Sequence, residues 1–325
     1  MNIYDIAREA NVSIATVSRV LNGKPNISPK TAQRVREVLE RSQYTPSSIA
    51  RGLVSNSMRL VGVLMHDLRN THYTSTAYVV EQELSRAGYR CLLCNTQAGA
   101  VSGTLRMLAE TRVDGLIIIG SVFMDRSMAE ALAAYFPTQP VVMVNGYLQR
   151  ENVLGILCDE ADGMRQCAEH LFAAGHRKIA YFHDNATDSA RRKLAGYRSA
   201  MRELGLQERV LHGATGFEGG AALGRELAAA GRPDFTALMF AEDTTALGCI
   251  RSMERAGLQV PEDLAVTGYT NTMFARMASR TLTTVDEQVQ VLGAEAVRAF
   301  CDRMDGRLRA PCITIPVHLV PGETT

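Results

Sequence analysis

From Leu60 onward the sequence alternates short apolar runs with longer amphipathic stretches, and this alternation constrains the fold more than any other feature. Leu60–Met65, Arg90–Asn95, Gly115–Ile119, Val141–Val144 and Val153–Cys158 read as strands, as do Ala237–Phe240 and residues 179–182, 264–267 and 313–317. Between them, apolar residues at helical spacing mark residues 76–87, 163–174, 192–204 and 244–256. Strands separated by helices pair in parallel, because each crossover helix returns the chain to the same end of the sheet and covers its face. Nine such strands are too many for one comfortable open sheet. The expectation is an α/β body of two doubly wound parallel-sheet subdomains, with a ligand cleft where the strand ends meet.

Residues 3–22, IYDIAREANVSIATVSRVLN, follow another rule. Ile3, Ile6, Ala7 and Ala10 lie on one helical face, Asn11-Val12-Ser13 breaks the pattern, and Ser13 can cap a second helix. Val17, Val20 and Leu21 then face back while Thr16, Ser18 and Arg19 look outward, the layout of a helix-turn-helix. After the loop Asn22-Gly23-Lys24-Pro25-Asn26, Ser28 caps a third helix with Pro29 at its first position and Val35, Val38 and Leu39 as its stripe. Residues 1–59 hold nine Lys or Arg against four Asp or Glu, a net of +5. The other 266 hold 26 against 30, a net of −4. A basic all-α headpiece on a mildly acidic body is the charge asymmetry of a nucleic-acid module joined to something else.

The wording of these stretches adds a resemblance. DIA-x-x-A-x-VS-x-ATVSRVLNG followed by ARGL is similar to the headpiece signature of the LacI/GalR family of transcription regulators, over most of the first 53 residues. DGLIIIG, HL-x-x-A-GHRKIAY, TALMFAEDTTALG and G-x-x-VPEDLAVTGY resemble landmarks of that family's body, whose fold is periplasmic-binding-protein-like. The resemblance implies a DNA-binding headpiece over 1–45, a hinge over 46–59, and an effector-binding and dimerisation domain over 60–325. Arg19 is the candidate for base readout, since a guanidinium donates in fork geometry to guanine O6 and N7. Ile14 and Ala15 suit apolar features such as a thymine methyl. Tyr4, Ser13, Thr16, Ser18 and Asn22 suit phosphates. In the hinge, Ala50 and Leu53 are the expected contacts, with Leu53 wedged between base pairs from the minor groove.

For the effector cleft the resemblance points to four residues. Tyr73, in Asn70-Thr71-His72-Tyr73, matches an aromatic at the cleft mouth, and Asp159 an acidic position beside it. Lys193 stands where sugar-sensing members usually carry Arg, and Asn271 follows Thr270, which replaces an expected acid. These departures favour an anionic or phosphorylated sugar, or a protein corepressor, over a neutral free sugar. The catabolite control subgroup has the headpiece closest in wording.

Other chemistries are poorly supported. Cys91 and Cys94 sit in one expected strand with side chains on opposite faces, and no second pair follows at zinc-site spacing. No nucleophile–base arrangement and no P-loop is present, so neither an enzyme nor a resident cofactor or metal is expected. Seven scattered cysteines fit a reducing compartment, no apolar run reaches membrane-spanning length, and the N-terminus reads as a charged helix. A cytoplasmic place follows. The expectation is a homodimeric regulator, acting as a repressor on a near-palindromic duplex operator, because two-fold symmetry doubles the few bases one helix reads. The competing reading is a small-molecule receptor of periplasmic-binding-protein fold without a DNA role, against which the basic headpiece argues.

Overall fold

The structure, a computed structural model, describes residues 3–21, 27–42, 57–231, 233–307 and 309–325. The chain divides into two compact units, Met1–Arg59 and Leu60–Thr325. The first holds α1 (Ile3–Glu9), α2 (Ile14–Leu21) and α3 (Pro29–Arg41). Ile6, Ala7, Ala10, Val17, Val35 and Val38 form its closed core. Asn11 has φ +48°, a left-handed turn that Asn tolerates better than most residues, and it reverses the chain between α1 and α2. Ser28 Oγ accepts from Thr31 N at 3.2 Å and starts α3.

In the second unit the strands are β1 (Leu60–Met65), β2 (Arg90–Asn95), β3 (Gly115–Ile119), β4 (Val141–Val144), β5 (Val153–Cys158) and β6 (Ile179–His183), then β7 (Val210–His212), β8 (Ala237–Phe240), β9 (Ala265–Thr267), β10 (Thr284–Asp286), β11 (Cys312–Ile315) and β12 (His318–Val320). The longer helices are α4 (Thr71–Arg86), α5 (Val101–Glu110), α6 (Arg126–Tyr135), α7 (Glu160–Ala173), α8 (Asp188–Glu203), α9 (Gly216–Ala230), α10 (Asp243–Arg255), the short α11 (Met273–Met277), and α12 (Val289–Met304). Strands β11-β5-β4-β3-β1-β2 form one parallel sheet and β7-β6-β8-β9 another, while β10 and β12 pair antiparallel.

Burial on both faces explains the continuous apolar runs. Val61, Val63, Ile117 and Ile119 pack on one face of the first sheet with Val80 and Leu84 of α4 and Phe300 of α12. Leu64, Leu116 and Ile118 pack on the other with Leu105, Leu108, Met128 and Leu132. Each such Leu or Ile contributes about 1.5–3 kcal/mol on burial. Cys91 lies against the first cluster and Cys94 inside the second, so the two thiols face opposite sides of the sheet. Because β11 joins the first sheet after the second is complete, the chain crosses between lobes three times, at residues 158–160, 286–289 and 315–318.

The elements differ from expectation chiefly at their ends. β11 stops at Ile315 instead of reaching residue 317, since Pro316 has no amide to give the ladder. Helices α4, α7 and α8 start five, three and four residues before periodicity alone places them, each capped by a side chain: Asn70, Asp159 and Thr187. The three-residue strands β7, β10 and β12 carry too little pattern to be read from sequence.

Candidate functional site

The headpiece presents one face of α2. Ser13 Oγ accepts from Thr16 N at 3.2 Å, which ties the first turn. Arg34 donates to Asn11 O at 3.4 Å and Arg41 pairs with Glu9, so these two cations hold α3 against α1 and the turn. Ser13, Ile14, Ala15 and Arg19 remain exposed, Thr16 and Ser18 are half-buried, and Tyr4 on α1 is exposed. The first turn of α2 has no acidic side chain, so its unpaired amides and positive end are left for an anion such as a phosphate. A long guanidinium beside short polar and apolar groups is the residue set that reaches base edges in a major groove. Asn22, Ala50 and Leu53 lie outside the described residues.

In the second unit, a cavity of about 320 Å³ lies between the two lobes. His66, Asp67, Asn70, His72 and Tyr73 line it from the N-terminal lobe, Asp184, Lys193, Glu242 and Thr270 from the other, and Glu287 from a crossing segment. Tyr73 packs against Gly120, where an added Cβ would come within 3.0 Å of the ring. Burial pushes the Tyr73 phenol up to about 12, keeping it a neutral donor. Lys193 is also buried, and its Nζ donates to Ala241 O at 3.0 Å. The same ammonium sits 3.8 Å from the Tyr269 ring centroid and 3.5 Å from Glu287 Oε1. Glu287 Oε2 in turn lies 3.1 Å from His72 Nδ1, though out of line for a hydrogen bond.

A second set of contacts fixes the walls. Arg192 pairs with Glu160 and Asp188 and donates to Asn145 O at 3.4 Å. Ser189 N donates to Ser121 Oγ at 3.2 Å across the lobes. Thr270, at φ +100°, holds a backbone conformation that a β-branched residue rarely adopts. The buried Asp243 carboxylate over-determines that loop, accepting from Thr272 N at 2.6 Å, Thr284 Oγ1 at 2.6 Å and Thr270 Oγ1 at 3.4 Å. Burial raises the Asp243 carboxyl to about 6 despite these donors.

Of the four effector residues expected from sequence, the cavity brings together Tyr73 and Lys193. Asp159 is exposed and caps α7, accepting from Asp162 N at 3.1 Å. Asn271 is half-buried at φ +47° and donates to Asp286 Oδ2 at 3.3 Å. Neither lines the cavity. Lys193, weighed from sequence as a grip for an anionic or phosphorylated sugar, is already paired with Glu287 inside the protein. Asp184, Glu242 and Glu287 were not singled out from sequence. Each is an acid one or two residues past the end of a strand, where α/β sheets place their ligand groups, and that position was the available signal. Among the described residues no group of three or more His, Cys, Asp or Glu is placed to hold a metal ion, and no helix is long and apolar enough to cross a membrane.

Comparison with known proteins bears on both units. Residues 2–47 match the model of the bacterial regulatory proteins, lacI family, and residues 168–325 that of a periplasmic binding protein-like domain. An HTH-type transcriptional regulator of Lachnoclostridium phytofermentans is 32% identical over 100% of this chain and 99% of its own length. Catabolite control protein A of Priestia megaterium is 31% identical over 94% of this chain and 93% of its own. Among solved structures, the lac repressor dimer bound to operator and the anti-inducer ONPF superposes with a TM-score of 0.89 at 26% identity, covering 100% of this chain and 98% of that one.

Proposed function

This chain belongs to the lacI family of bacterial regulatory proteins, and on that premise we propose that it represses transcription as a homodimer on a near-palindromic operator. It is a DNA-binding transcriptional regulator and not an enzyme. The observation that carries the proposal is the outer face of α2, where Ile14, Ala15 and Arg19 stand exposed beside a helix N-terminus with no acidic side chain in its first turn. One such face reads too few bases to find a site, and a two-fold partner doubles them. Phe217, Phe274 and Met277, exposed together on one side of the C-terminal lobe, supply an apolar patch suited to that partner. Ala50 and Leu53 are assigned to the hinge contact with the operator's minor groove. Seven free thiols support a reducing, cytoplasmic place of action.

Operator affinity is set by a small molecule in the cleft between the lobes. A concave cleft of about 320 Å³, lined from both lobes by Tyr73, Lys193 and several carboxylates, has the size and convergent polar groups that suit a small molecule better than a protein corepressor. The ligand acts through its different affinity for DNA-competent and DNA-incompetent forms, a coupling of about 1–3 kcal/mol. The test is selection of bound sites from random duplex DNA, followed by affinity measurements over a salt series. A two-fold symmetric selected site, bound with a steep inverse salt dependence, is the expected result. An asymmetric selected site overturns the two-fold operator, and absent selection or a salt-independent affinity overturns the proposal as a whole.

A further inference from the structure

Charges around the cleft do not balance. Four carboxylates line it, from Asp67, Asp184, Glu242 and Glu287, against the single ammonium of Lys193. Two of the four are answered from within the chain. Arg69 donates to both oxygens of Asp67, at 3.0 and 2.8 Å, and Lys193 faces Glu287. Among the described residues no cation lies within ion-pair distance of Asp184 or Glu242, and Lys193 acts on Glu242 only from farther off. Phe182 and Phe240 are register partners on the adjacent parallel strands β6 and β8, so Asp184 and Glu242, each two residues further on, leave the sheet side by side. Their donors are neutral: Asn185 Nδ2 to Asp184 Oδ1 at 2.9 Å, and for Glu242 the Thr244 side chain and Asn70 Nδ2, the latter at 3.0 Å from Oε1. Burial and then the neighbouring Asp184 charge raise the Glu242 carboxyl, as expected of two acids crowded in little water.

A second observation points the same way. Glu287 is only 1% exposed and lines the cavity, yet its Oε2 makes no hydrogen bond. His66 Nδ1, which lines the cavity from the N-terminal lobe, is likewise buried without a hydrogen bond. A buried carboxylate oxygen whose nearest nitrogen, His72 Nδ1, is out of line lacks a hydrogen bond that a bound donor can supply.

Resting on the reading of this cleft as the effector site, we propose that it selects a ligand carrying a protonated amine, with Asp184 and Glu242 gripping the ammonium between them. An ammonium offers three donors and a compact charge, which matches two carboxylates leaving neighbouring strands better than any hydroxyl. Hydroxyl groups elsewhere on the ligand are met by Asn70, the Tyr73 phenol and Glu287 Oε2. An anion would meet two carboxylates that no ion-paired cation neutralises.

Calorimetry and thermal shift on the full chain near neutral pH, with two matched series, provide the test. One series is glucamine, sorbitol and sorbitol 6-phosphate, and the other is putrescine, butanediol and succinate. In each, the amine is expected to bind at least about tenfold more tightly than its neutral counterpart, with the anion weakest. Asp184→Asn and Glu242→Gln should each bring that preference close to one, and two variants guard against one that fails to fold. The proposal is overturned if a neutral or anionic member binds as tightly as the amine. It is also overturned if neither amine binds below about 10 mM, or if the preference survives both substitutions. Binding of the same full chain to its selected duplex without ligand keeps the two readings separate: intact DNA binding with no amine preference removes this inference and leaves the regulator standing.

Discussion

Asn70 Nδ2 donates to Glu242 Oε1 at 3.0 Å, and this bond joins the cap of a helix in one lobe to the cap of a helix in the other. Asn70 also accepts from His72 N at 2.9 Å through Oδ1, so one amide both starts α4 and reaches across the cleft. Glu242 places its carboxylate at the N-terminus of α10, where the helix dipole favours negative charge. A ligand that draws on Glu242 therefore competes with, or adds to, a contact that already holds the lobes together.

Arg19→Ala is expected to weaken binding to the selected operator by about 1–3 kcal/mol per half-site and to relax base preference at one symmetric position. Arg19 is the exposed guanidinium on the outer face of α2. Competition binding against every single-base variant of the site checks this. An unchanged preference profile at fixed salt would assign Arg19 to phosphate contact instead.

Lys193→Met should lower the stability of the body by about 3 kcal/mol, seen as a fall of about 6–10 °C in Tm, because it strands the buried Glu287 carboxylate. Glu287 is 1% exposed and has Lys193 3.5 Å from Oε1. The double variant Lys193→Met/Glu287→Gln is expected to recover more than half of that loss. A double variant no more stable than the single one would show that the ammonium matters for its packing on Tyr269 and not for its charge.

Helices α9 and α10 meet through glycines. A Cβ on Gly220 would lie 1.8 Å from Thr245 O, and one on Gly248 2.0 Å from Phe217 O. Gly220→Ala should cost about 3 kcal/mol or more, because backbone must move to admit it. Gly103→Ala in α5, where a Cβ meets nothing within 4 Å, should stabilise by about 0.5–1 kcal/mol. Denaturant titration of both variants gives the comparison, and equal effects would contradict it.

Asp243 should add to stability as the medium becomes mildly acidic. Its folded carboxyl titrates at about 6 against 3.8 for the free group, so between these values the folded state holds the proton more tightly. This contribution is absent above about pH 6 and grows as pH falls toward 4, to about 2 kcal/mol. Asp243→Asn lacks the titration. The gap in unfolding free energy between wild type and this variant should widen from pH 7 to pH 4.5, and a constant gap would rule out this role for Asp243.

The parallel sheets were legible because burial on both faces writes strands such as Gly115–Ile119 as unbroken apolar runs. Helix starts were not, since the polar first turns after Asn70, Asp159 and Thr187 depend on caps and carry no apolar period. At the cleft, Tyr73 and Lys193 were found through resemblance, but the partners that define Lys193 chemically were not. Ala241 O is a backbone group, and Glu287 lies 94 residues away in sequence on a crossing segment. Whether a cation is free or paired is a property of the fold, so the sign of the site could not be read from Lys193 and Thr270 alone.

The three crossings between lobes have a mechanical meaning. A single linker would let the lobes swivel and twist; three together act as a hinge with three pins and leave opening and closing as the soft motion. Glu160 and Glu287 are seated at the pins, and through Arg192, Lys193 and His72 they touch the walls on both sides. A ligand held by both walls would thereby set an angle between the lobes, a change that needs no relay of side chains.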